Sequence, residues 1–161
     1  MSRRVSTSEG YLRWQSELWR QRRLACKRMN ERRLPVLRTL RAGLAGFPLA
    51  LIADALEREG WRYNVSPYFL AAIAGKESTF GKAACGGNAW GIASCGMTFP
   101  TFADGAHYTA RLLRQNYIDD GLTTIPEIGY RYCVPPHSWI RDVTAIMRQY
   151  FGAAPVVTYP A

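Results

Sequence analysis

The chain has 161 residues, 48% of them hydrophobic, with 5 Trp, 9 Tyr and 6 Phe; a chain so composed can bury a core of its own, which excludes an intrinsically disordered polymer. No run of about 18 uninterrupted apolar residues occurs, so no helical transmembrane segment is expected. The net charge of +9 is unevenly spread: residues 1–41 carry twelve Arg or Lys against three Glu, whereas residues 42–161 carry nine of each sign.

The basic excess marks an N-terminal arm. Arg3 and Arg4 could open a secretory n-region, but no apolar h-region follows within reach, so no signal peptide is recognised. Residues 9–33 predict one long amphipathic helix: Tyr11 and Leu12, Leu18 and Trp19, Ala25 and Cys26 recur every seven residues, with Trp14 and Met29 on the same side. Pro35 is expected to end or bend it, and Gly43 and Gly46 mark a joint. The chain is thus expected to divide into a basic helical arm (1–43), a domain (44–152) and an irregular tail (153–161). The charge asymmetry points to an anionic partner for residues 1–41, whether nucleic acid, wall polymer or a membrane surface, or to anchoring on a virion protein.

Within the domain, Leu49, Ile52, Ala53 and Leu56 fall at i, i+3, i+4 and i+7, a helix expected to end at Gly60. Ser66 followed by Pro67 reads as an N-cap and first helical residue, opening a helix to about Ser78. Gly81 to Gly96 holds five glycines and no acid, and reads as a loop or short hairpin. Thr101 can cap a helix from Phe102 to Tyr117, and Thr124 a short one from Ile125 to Tyr132. Pro135 and Pro136 break the chain there. Trp139, Val143, Ile146, Met147 and Tyr150 form a closing amphipathic helix. The class is mainly α. Cys26, Cys85, Cys95 and Cys133 lack zinc-type spacing; a Cys85–Cys95 bridge across the Gly-rich loop and free thiols both remain open.

Glu77 continues the stripe Leu70, Ile73, Ala74 and is expected on the buried face, in the last turn of its helix. Burial and the negative end of the helix dipole both penalise its ionised form and raise its pKa. A carboxylic acid that stays protonated near neutral pH is what protonation of a glycosidic oxygen needs. The alternative is an exposed helix-end residue paired with Lys76 or Lys82.

The run VSPYFLAAIAGKESTFGKAACGGNAWGI resembles the catalytic core of the lysozyme-like superfamily, which includes soluble lytic transglycosylases, goose-type lysozymes and bacterial glucosaminidases. Its Glu-Ser-Thr-Phe-Gly and Asn-Ala-Trp-Gly-Ile elements carry the resemblance, which covers roughly residues 48–150. The resemblance implies a lysozyme-like helical domain with Glu77 as general acid in the cleavage of peptidoglycan. It also implies that Asn88, Trp90, Gly91 and Ile92 form a groove wall for the N-acetyl group, and that Ser78 orients the acid or binds sugar. The family tyrosine near the acid matches Tyr132, with Tyr130 as the alternative. The alternative for Trp90 and for either tyrosine is packing in the core, and for Ser78 an ordinary C-terminal helix hydroxyl.

No Asp or Glu lies between Glu77 and Asp104. Two-carboxylate glycosidases hold the partner about 5–9.5 Å from the acid, so this gap favours a transglycosylase-like route with a single Glu. Asp104 and Glu127 are the remaining second carboxylates, unless each serves its helix N-terminus. His107 and His137 lack acidic neighbours at metal spacing, and Cys133 lacks support as a nucleophile; no metal or cofactor is expected. Cleavage between N-acetylmuramic acid and N-acetylglucosamine leads. Glucosaminidase or hydrolytic lysozyme specificity, a nucleic-acid-binding protein and a glycan-binding assembly protein are its rivals. A virion-associated enzyme, or one delivered to the bacterial periplasm or cell wall, fits the arm.

Overall fold

A computed structural model describes residues 7–160, with side chains from Glu9 onward. It is mainly helical: six α-helices, and no strand among the described residues. They are α1 (Thr7–Gly43), α2 (Ala53–Tyr63), α3 (Pro67–Ser78), α4 (Phe102–Leu113), α5 (Ile125–Tyr132) and α6 (Pro136–Phe151). Arg3 and Arg4 of the arm lie outside the described residues.

The chain divides into two compact units, one up to Pro35 and one from Val36 onward. The arm therefore ends eight residues before Gly43. α1 runs through Pro35, although a proline removes one helical N–H and costs about 3 kcal/mol in a helix interior. The compensation comes from burial: Val36, Leu40 and Leu44 pack into the core of the second unit, and such side chains are worth about 1.5–3 kcal/mol each when fully buried. The first unit is a solvated helix. Its ion pairs, Arg20 with Glu17 and Lys27 with Glu31, are exposed, and pairs of that kind contribute little.

In the second unit α3 is the central helix. Phe69 to Ala74 are six consecutive residues with no exposed surface, the pattern of a helix covered all round rather than on one stripe. It packs against α6 and α2. Ser66 accepts the Phe69 N–H at its N-terminus, as expected of the Ser-Pro start.

A 3-10 turn, Pro48–Ile52, leads into α2. α2 passes through Gly60 and ends at Asn64, whose φ is +50°. Gly60 is needed for another reason: a Cβ there would lie 2.8 Å from the Val65 carbonyl. α2 also buries two acids. Glu57 accepts from the Tyr159 hydroxyl at 2.8 Å, and Glu59 lies 2.9 Å from both His107 Nδ1 and Arg58 Nε. Burial pushes the Glu59 carboxyl up, but the bonds from His107 and Arg58 outweigh it and hold the group below the usual range. His107 is thus the hydrogen-bond partner of a buried acid.

α4 and α5 each begin with a full capping box, Thr101 with Asp104 and Thr124 with Glu127. α4 turns π-helical over Arg114–Ile118. The tail is irregular yet packed: Val157 and Tyr159 join the core, Val156 bridges Thr124, and the Val157 carbonyl accepts the Ser66 N–H at 2.7 Å.

Candidate active site

The site is assembled where α3 ends. Thr79 and Phe80 both take positive φ, and their N–H groups return to Gly75 and Ala74. This reversal closes the helix and sends the chain into the Gly-rich segment. Glu77 stands in the last turn before it. Contrary to the sequence expectation, Glu77 is exposed rather than buried: the apolar stripe reaches the surface at Glu77, one residue before the helix stops. Solvent reaches its carboxyl from one side while protein covers the other.

Trp139 Nε1 donates to Glu77 Oε1 at 2.8 Å. Oε2 faces Gly91, where an added Cβ would lie 2.9 Å from it. Gly91 also has a φ of +66°, so both conformation and space favour glycine there. Partial burial raises the Glu77 pKa, and the Trp139 bond and the charge of Lys76 only partly offset that rise. The two lysines offered as partners are engaged elsewhere. Lys76 pairs with Asp142 at 2.7 Å, and Lys82 sits 4.8 Å over the Phe47 ring. Trp139 and Asp142 are three residues apart on α6, so they hold Glu77 and Lys76 side by side.

Several residues matched to a sugar-binding wall prove to be structural. The Trp90 ring has no exposed surface and its Nε1 donates to the Leu70 carbonyl at 2.9 Å; no face of it is open to a sugar. Asn88 is 1% exposed. Its Nδ2 donates to Ile92 and Met97 carbonyls and its Oδ1 accepts the Trp90 and Ile92 N–H groups. One amide carries both donor and acceptor, so Asn88 organises the loop from within. Ser78 is buried, its one O–H is shared between the Ala74 and Ala89 carbonyls, and its oxygen accepts the Gly81 N–H; it ties the helix end to the loop and does not orient the acid. Ile92 is buried as well.

Tyr132, not Tyr130, is the tyrosine beside the acid. Its hydroxyl donates to the Trp90 carbonyl at 2.8 Å rather than to the carboxyl, and its ring lies 4.9 Å from that of Trp139. Burial, and then the charge of Glu77, hold its phenol well above the usual range. Tyr130 is 59% exposed and packs edge-on to His137. Asp104 and Glu127 are engaged in their capping boxes.

Trp139 was visible in the sequence only as a core position of the last helix. The signal that could have found it is general: a buried indole N–H needs an acceptor. Nothing in the spacing tied residue 139 to residue 77.

Cys85 and Cys95 form a disulfide, while Cys26 and Cys133 are free thiols. The bridge closes the segment that carries Gly91. Cys85→Ser with Cys95→Ser should lower stability by about 2–3 kcal/mol, the loop-closure worth of a short ring, read as a shift of the denaturant midpoint. An unchanged midpoint under oxidising conditions would count against the bridge.

Neither the protein-family models nor the curated proteins include a match to this chain.

Proposed function

We propose that the chain cleaves peptidoglycan glycan strands between N-acetylmuramic acid and N-acetylglucosamine, by a lytic-transglycosylase-like route with Glu77 as the one catalytic carboxyl. The observation that carries this reading is the state of Glu77: solvent-accessible, raised in pKa by partial burial, and held by one oxygen so that the other is left to work. The lysozyme-like resemblance of residues 48–150 supplies the substrate class. In the first step the Glu77 proton passes to the glycosidic oxygen, the bond from that oxygen to the muramyl C1 breaks, and the N-acetylglucosamine end leaves as an alcohol. The muramyl 6-hydroxyl then bonds to C1 and its proton returns to Glu77. The product is a 1,6-anhydro end, with no water consumed.

The capping roles of Asp104 and Glu127 support the single-carboxylate form. Asp104→Asn and Glu127→Gln should each leave cleavage within about tenfold of the parent, since neither has a proton-transfer role. Both variants should stay folded, since glutamine and asparagine keep an acceptor at the third position of the capping box. Digestion of purified peptidoglycan followed by mass spectrometry tests the route directly. Anhydro ends, lighter by one water than reducing ends, are the expected product. Dominant reducing ends would instead favour a hydrolase.

A further inference from the structure

The unit up to Pro35 is a helix with an uncovered apolar side. Tyr11, Leu12, Trp14 and Trp19 are 57%, 62%, 60% and 63% exposed. At helical spacing these four and Leu18 fall within one arc of about 160°. Arg13, Arg20 and Lys27 lie on the opposite side, Arg23 flanks the arc beside Leu12, and Arg22 falls within it. The Arg22 guanidinium leans over the Trp19 ring at 5.8 Å, and the Tyr11 and Trp14 rings stack at 6.0 Å. Residues 7–35 carry eight Arg or Lys against three Glu.

We propose that this face docks on an anionic lipid bilayer, with the helix lying in the plane of the interface. The arrangement matches what such a surface offers. Trp, Tyr and Leu enter the boundary between headgroups and acyl chains, and the flanking arginines meet lipid phosphates while their stems remain among the apolar groups. A second copy of the arm is a poor occupant, because pairing would bring two strongly positive helices together. A nucleic-acid duplex would take the arginine side and leave four large apolar side chains in water, without using them.

Flotation of the full chain with vesicles is the test. One set contains phosphatidylglycerol and phosphatidylcholine in equal parts, the other phosphatidylcholine alone. Binding is expected to the anionic set, and Trp14→Ala with Trp19→Ala should weaken it by about tenfold or more, since the apolar contribution scales with the area inserted. Both side chains are exposed, so helix content by circular dichroism should stay unchanged. Arg20→Glu with Arg23→Glu should weaken binding too, through the electrostatic part. Raising salt should reduce binding without abolishing it. The proposal is overturned if the tryptophan variant floats as well as the parent, if salt alone removes all binding, or if a DNA duplex or single strand binds more tightly than the vesicles. Formation of a dimer that no longer floats would overturn it as well. Cleavage of short soluble glycan by the tryptophan variant should equal that of the parent, which keeps this result separate from the reading of Glu77.

Discussion

Glu77→Gln should reduce glycan-strand cleavage by roughly 10²- to 10⁴-fold, the usual worth of general acid catalysis, without loss of the fold. Glutamine keeps the oxygen that accepts from Trp139 Nε1 and removes only the titrating proton. The sign of the stability effect also follows. The Glu77 pKa is raised in the folded state, so its favourable contribution is present at low pH and lost as pH climbs through that raised value. A residue that cannot ionise escapes the loss. At neutral pH the glutamine variant should therefore melt no lower than the parent. Turnover above a tenth of the parental rate on purified peptidoglycan would remove Glu77 from the role of acid.

The second large effect is expected at Trp139→Phe, which retains a ring and deletes the N–H donor. A hydrogen bond to a charged group is worth about 1.5–3 kcal/mol, and its loss frees the carboxyl to rotate away from the Gly91 side. Maximal turnover should fall by about 10- to 100-fold, the rate equivalent of that energy. The pH profile separates positioning from mere packing. The proton-donating form is lost as pH rises through the Glu77 pKa, and the Trp139 bond holds that pKa down. The variant's alkaline limb should thus lie at higher pH than the parent's, beneath a lower ceiling. A variant that loses activity with an unmoved limb would make Trp139 a core residue only.

Local chemistry was legible in the sequence; covering was not. The Ser66-Pro67 start, the caps at Thr101 and Thr124 and the end of α3 near Ser78 depend on neighbours within a few residues, and they are found where the motifs put them. Pro35 is different. Its local effect is to stop a helix, but Val36, Leu40 and Leu44 bring core contacts from far along the chain, and those outweigh it. Trp90 and Asn88 show the same limit. A motif gives their positions next to the acid, yet whether a ring faces solvent or core depends on what α3 presents to it, here the Leu70 carbonyl. Glu77 itself was assigned to the right stripe and the wrong depth, because periodicity gives a direction around the helix and not the point at which the helix leaves the core.

The packed residues 157–159 give the segment after α6 a hold on the beginning of α3. The Val157 carbonyl meets the Ser66 N–H beside the N-cap, and Tyr159 closes on Glu57. Replacing Val157 and Tyr159 by Gly should loosen the start of α3, the helix that carries Glu77 in its last turn. Activity should fall in that variant before the rest of the domain becomes digestible. Fusions attached after Tyr159 would need a slack spacer to avoid dragging on the same knot.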